Sequence, residues 1–217
     1  MPGSSTTVSP MEEEMPPTAR PADAGAELML SWRDGDETAF ETLVESYSGQ
    51  VFALLTRFLG RHPGREDMVQ EVFLRVIRAR DRYEPRARFT TWLYRIVFNL
   101  CVNETQRSRS RETLSLDGST QTDAEHEGSR PDVTDERVSD PSGHMAQVDV
   151  VDAVRAAIAS LPEMQRMALV LAKYEDMPYA EIGRVLGSSE KAIKSLIHRA
   201  REALRARLAH FLAEELA

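Results

Sequence analysis

Pro178-Tyr179-Ala180-Glu181-Ile182-Gly183-Arg184-Val185-Leu186-Gly187-Ser188-Ser189-Glu190-Lys191-Ala192-Ile193-Lys194 decides how this chain is read. Ile182, Val185 and Leu186 recur at the three- and four-residue steps that put side chains on one face of a helix. Gly187 follows as a residue free to take a positive φ, which a sharp turn demands. A second apolar series, Ala192, Ile193 and Ile197, opens another helix. Two short helices around such a glycine form a helix-turn-helix. On the second helix, Lys191, Lys194, Ser195, His198 and Arg199 line a polar face near its start. That is the end a recognition helix places in the major groove, where Lys and Arg reach guanine O6 and N7 or a phosphate. The plainer alternative is a helical hairpin with a basic exterior. His198 has no Cys or carboxylate at ligand spacing, so it reads as a DNA-facing or exposed imidazole rather than a metal ligand.

Outward from this motif the pattern stays helical. Val151, Val154, Ile158 and Leu161 mark one helix. Pro162 suits the first turn of another, which carries Met164, Met167, Ala168, Val170 and Leu171. Further helices are expected near 178–186 and 189–212. Upstream, residues 112–147 lose all apolar periodicity and are rich in Ser, Thr, Asp, Glu and Gly, which reads as a flexible acidic linker. Before it, Ala39, Phe40, Leu43, Val44, Tyr47, Val51, Leu54, Leu55 and Phe58 form an amphipathic helix with Asp36 as N-cap. Met68, Val69, Val72, Phe73, Val76 and Ile77 form a second helix. Residues 82–88 read as a loop, and a third helix runs from Phe89 through Trp92, Leu93, Ile96 and Val97 to a basic tail at Arg107, Arg109 and Arg111. Residues 1–24 read as a disordered acidic arm. The expected architecture is therefore all-α: helical domains at 25–111 and 148–217, joined by the linker.

The chain has 217 residues and a net charge of −8, which taken whole argues against a basic nucleic-acid binder. Counting by segment reverses that. Residues 1–27 carry −4 and residues 112–147 carry −7, whereas 28–111 carry +3 and 148–217 are neutral. Ten Arg against three acids give 75–111 a net +7, and 187–207 a net +4. Each domain thus holds a concentrated basic element, the footprint of a polyanion partner. The single cysteine, Cys101, excludes an intrachain disulfide framework and makes a Cys-based zinc site implausible. No apolar run approaches the roughly 20 residues that span a bilayer. A cytoplasmic protein without membrane insertion is expected. No nucleotide-binding loop, paired carboxylates or nucleophile–base set is visible, so no enzyme and no cofactor is expected.

Two further stretches complete the reading. Glu66-Asp67-Met68-Val69-Gln70-Glu71-Val72-Phe73 sets Asp67, Gln70, Glu71 and Leu74 along one helix side. Phe89-Thr90-Thr91-Trp92-Leu93-Tyr94-Arg95-Ile96-Val97-Phe98-Asn99 interleaves aromatics with Arg, as single-strand binders do. Phe89, Trp92 and Ile96 share a face and read as core; Tyr94, Phe98 and Asn99 are less committed.

With Leu161-Pro162-Glu163, Tyr179–Gly183 and Ser195–Glu202, these stretches resemble the extracytoplasmic-function group of bacterial sigma factors, within the sigma-70 family. The resemblance covers 28–111 and 148–212, and it implies an alternative sigma factor. Such a factor binds core RNA polymerase, recognises −35 and −10 promoter elements, and helps melt DNA. Asp67, Gln70, Glu71 and Phe73 would dock on the β′ clamp helices. Arg86, Arg88, Thr91, Trp92, Tyr94, Arg95, Phe98 and Asn99 would open the −10 element and hold a flipped base. Lys191, Lys194, Ser195, His198, Arg199 and Arg201 would read the −35 element, and the first helices of the second domain would hold the β flap. An anti-sigma partner is implied as well. Leu196 stands where many members carry Arg, and Glu190-Lys191-Ala192 replaces a commoner Gly-Thr opening, so the family's −35 preference does not transfer. Two rivals are a stand-alone helix-turn-helix regulator, which leaves the two upstream stretches unexplained, and a helical adaptor that binds protein only.

Overall fold

Asp23 starts two helices at once. Its Oδ1 accepts from the Ala26 N–H at 3.3 Å, capping α1 (Ala24–Arg33), and its Oδ2 accepts from the Phe89 N–H at 2.6 Å, where α4 begins. The computed structural model describes residues 23–117 and 141–215, with side chains over 23–111 and 150–209. Between α1 and α4 lie α2 (Glu37–Leu59), α3 (Arg65–Arg78) and a short 3₁₀ turn, Arg80–Arg82. α4 runs from Phe89 to Asp117. The second half contributes α5 (Pro141–Ala159), α6 (Glu163–Tyr174), α7 (Tyr179–Leu186) and α8 (Glu190–Glu215). The described residues contain no strand.

The all-α expectation is met, with local differences. Asp36 caps α2 as expected, accepting from the Thr38 N–H at 3.0 Å. α1 did not stand out as a separate helix in the sequence. It is only ten residues long, and it takes in Ala24, a residue assigned to the arm. Both ends of the expected linker are helical: α4 continues to Asp117 and α5 begins at Pro141. Pro162 sits one position before the first turn, as the N-cap of α6. The arm up to residue 22, and the flexibility expected for 118–140, lie outside the described residues.

The apolar stripes of both halves join in one buried core. In the first, Leu43, Val51, Leu54, Leu55 and Phe58 of α2 meet Met68, Val72 and Val76 of α3 and Phe89, Leu93 and Val97 of α4. Each such side chain removed from water contributes about 1.5–3 kcal/mol. Trp32 closes one end: its ring stacks on Phe40, its indole N–H donates to Glu37, and the Arg80 guanidinium lies over it. Replacing Asp23 by alanine removes both caps and is expected to lower stability by about 1–2 kcal/mol, read as a shift of the denaturant midpoint.

The second half packs Leu161, Met167, Ala168, Val170 and Leu171 against Ile182, Val185, Ile193 and Ile197. Two glycines shape the turn between α7 and α8. Gly187 takes φ 63°, the left-handed region. Gly183 lies so close to the turn that an added Cβ would stand 2.6 Å from the Ser188 carbonyl oxygen. The Ser188 N–H donates back to the Gly183 carbonyl at 2.8 Å, which ties the turn to the helix it leaves.

Cys101 is fully buried on α4, and burial pushes its thiol up to about 12. That value lies above the ordinary thiol range, so folding favours the protonated form below about pH 8.5, and this contribution fades as pH rises toward 12. Iodoacetamide at pH 8 is therefore expected to leave the native protein unmodified and to label it at the unfolding rate in denaturant.

Candidate nucleic-acid interface

α8 presents its polar face fully. Lys191, Lys194, Ser195, His198, Arg199 and Arg201 are all exposed, while Ile193, Ile197 and Ala200 face the core. The Ser189 hydroxyl accepts from the Ala192 N–H at 3.2 Å and caps the first turn. Lys194 Nζ is 3.0 Å from Glu190, and His198 Nε2 is 3.4 Å from Glu202. Both are exposed surface contacts one turn apart, and the Lys194 pair is worth a few tenths of a kcal/mol. The structure thus brings the whole proposed −35 set onto one accessible face.

On α3, Asp67 and Gln70 are exposed and Glu71 is half-buried. Glu71 accepts from Arg75 at 2.9 Å, and this hydrogen bond holds its carboxyl below the usual range. Phe73 departs from expectation. It is only 6% exposed and packs in the core, so its ring is not on the open face of α3. Leu74 and Ile77 are instead the exposed apolar side chains of this helix. Ile77, counted by its spacing with the apolar series of this helix, is 42% exposed at the edge of the packed face.

The proposed −10 set divides. Arg86, Arg88, Arg95 and Asn99 are exposed, Arg86 beside Glu84 at 2.6 Å. Trp92 is half-buried, edge-on to Tyr83 at 5.0 Å between ring centroids and 5.7 Å from Phe89. Thr91, Tyr94 and Phe98 are buried. The first two are covered by the second half of the chain. The Thr91 hydroxyl donates to Glu181 at 3.0 Å, and the Tyr94 hydroxyl donates to Glu175 at 2.7 Å. Burial, and then that hydrogen bond, raise the Tyr94 phenol well above its ordinary value. Glu175 also receives Arg57 at 2.8 Å, and Arg88 stands 3.4 Å from Glu181. These contacts join residues about 80 to 120 positions apart, beyond anything a local pattern carries.

The two halves also meet around Arg166. This residue of α6 is 5% exposed, and its guanidinium donates to the carbonyls of Leu161 and Phe58, each at 3.0 Å, and to that of Ala159. It also lies over the Phe58 ring, 4.8 Å from the centroid. Arg109 and Glu163 add an ion pair across the same seam at 2.7 Å. Among the described residues no cluster of His, Cys, Asp or Glu is arranged to hold a metal ion, and no helix is long and apolar enough to cross a membrane.

Comparison with known proteins places this architecture. Residues 43–111 match the family model described as Sigma-70 region 2, and residues 152–204 match that described as Sigma-70, region 4. The chain is 30% identical over 180 residues to the ECF RNA polymerase sigma factor SigW of Bacillus subtilis (strain 168), covering 81% of this chain and 92% of that one. It is 32% identical over 173 residues to the ECF RNA polymerase sigma-E factor of Escherichia coli (strain K12), covering 78% and 86%. Among solved structures, CnrH in complex with the cytosolic domain of CnrY superposes with a TM-score of 0.61 at 25% identity, over 87% of this chain and 99% of that one. Region 2 and region 4 in one chain, in that order and on an all-helical frame, make this protein a member of the extracytoplasmic-function group of the sigma-70 family.

Proposed function

We propose that the chain acts as a non-enzymatic initiation factor in the cytoplasm, delivering core RNA polymerase to a subset of promoters. The observation that carries this reading is the α8 face: six polar and basic side chains, all exposed, on the second helix of a helix-turn-helix. Lys191, Lys194, Ser195, His198, Arg199 and Arg201 contact the −35 element, with Lys and Arg reaching base edges or phosphates. Asp67 and Gln70, flanked by exposed Leu74, form the docking face for the β′ clamp helices, with Glu71 oriented by Arg75. Arg95 and Asn99, one turn apart on the open side of α4, meet the −10 strand, and Trp92 supports them against Tyr83. Extruding a base costs a few kcal/mol, which contacts in a pocket must offset. The two halves serve as the region 2 and region 4 modules, α5 and α6 engage the β flap, and an anti-sigma protein is the expected antagonist.

Reconstitution with core polymerase tests this reading. Run-off transcripts should appear from a subset of candidate promoters only when the chain is added. Absence of core binding refutes it, and tight duplex binding without polymerase favours a stand-alone regulator.

A further inference from the structure

The polar side of α8 sorts into two rows, because side chains four apart stand one above the other on a helix. Lys191, Ser195 and Arg199 form one row, and Glu190, Lys194, His198 and Glu202 form the other. The second row begins with a carboxylate that the basic and polar −35 set does not include. Glu190 is the first residue of α8 and is exposed. Its Oε1 stands 3.0 Å from Lys194 Nζ. An acid at a helix N-terminus has an ordinary explanation, since it complements the helix dipole. Its place in this helix adds a second one. The N-terminal residues of a recognition helix are those that meet base edges. There a carboxylate is repelled by phosphates and by guanine O6 and N7, whereas the amino group at cytosine N4 satisfies it.

We propose that Glu190 is a specificity-determining residue of the −35 contact, and that together with Lys194 it selects a C·G base pair. In the major groove that pair presents one donor, cytosine N4, beside two acceptors, guanine O6 and N7. A carboxylate and an ammonium 3.0 Å apart carry the complementary order. An A·T pair sets its one donor between two acceptors, so a carboxylate aimed at it meets repulsion on either side. In the free chain the Glu190–Lys194 pair is an exposed surface contact, and both groups can turn to base edges without loss of packing. This role of Glu190 rests on the reading of α8 as the −35 helix, and it supplies a base pair that the family resemblance leaves open.

Base preference, not affinity, is the quantity to measure. It is a ratio between sequences, so a partly unfolded sample does not alter it. The full chain with core polymerase transcribes a run-off library whose promoters differ only at randomised base pairs of the −35 element. The same duplexes, immobilised, are offered to the full chain alone. Selected duplexes should hold C·G at one fixed position, and Glu190→Ala should reduce that preference by about fivefold or more. Binding to the other sequences should rise in this variant, because an acid is lost from a face that meets phosphates. Glu202→Ala is the control. It removes the same charge from the same row, about 18 Å further along the helix, and likewise frees a paired side chain. It should raise binding to all sequences alike and leave the preference unchanged. In a Lys194→Gln chain, removal of Glu190 should have little further effect, since residues that act as a unit are non-additive. Additive losses overturn the pairing. The same preference in wild type and Glu190→Ala, an equal shift in Glu202→Ala, or a wild type with no C·G preference overturns the role of Glu190. Absence of run-off refutes the sigma reading and leaves selection by the chain alone to judge Glu190. No selection in either format overturns both.

Discussion

Replacing Lys194 and Arg199 together by alanine is expected to reduce promoter-directed run-off transcription by roughly 30-fold or more while leaving core-polymerase binding intact. Each well-placed bidentate base contact contributes about 1–3 kcal/mol to discrimination. Two lost together give about 2–6 kcal/mol, and every 1.4 kcal/mol is tenfold. The fold itself should be indifferent. Both side chains are exposed, and the one ion pair lost, Lys194 with Glu190, is a surface pair worth about 0.3–0.5 kcal/mol. Pull-down on core polymerase and run-off from one promoter separate the two effects. A double variant that transcribes normally would show that α8 does not read DNA.

Arg166→Met should cost about 3 kcal/mol of stability. The guanidinium serves the Phe58, Leu161 and Ala159 carbonyls from a position 5% exposed. A hydrogen bond from a charged donor contributes about 1.5–3 kcal/mol, and methionine replaces the volume but none of the three. Relief opposes this loss. Burial lowers the Arg166 pKa, and its Nε has no partner, so removing the cation recovers part of a desolvation cost. Three acceptors against one buried charge leave the balance on the destabilising side. Denaturant unfolding measures it, and a variant as stable as the wild type would mean that the carbonyls find water. The Phe58 bond crosses between the halves, so this variant should also loosen the seam.

What the sequence disclosed depended on how locally each feature is encoded. The turn at Gly187 was legible because a positive φ has one cheap residue, and the α8 face because its polar set repeats within two turns. The Asp36 cap is equally local. Thr91 and Tyr94 were misjudged as available side chains because what buries them, Glu181 and Glu175, lies 81–90 residues further along the chain. Phe73 was placed on the apolar face of its helix by the local pattern and is buried there, whereas its docking role came only from the resemblance. The +7 counted over 75–111 was correct as arithmetic and overstated as a patch, since Arg75, Arg86, Arg88 and Arg109 each stand within salt-bridge distance of a carboxylate. The family resemblance rested on motifs in both halves and survived these local corrections, because it drew on their order more than on any one side chain.

α4 ends at Asp117 and α5 begins at Pro141, and the covalent chain between them sets a reach. Fully extended, that stretch measures roughly 80 Å at about 3.3 Å per residue. Two DNA elements about 25 base pairs apart, as the labels −35 and −10 state, are separated by roughly 85 Å at about 3.4 Å per base pair. With Glu181 3.0 Å from Thr91, the two halves are held in contact. The length of covalent chain between α4 and α5 is roughly matched to the promoter span, and it is the reach on which simultaneous contact with both elements depends.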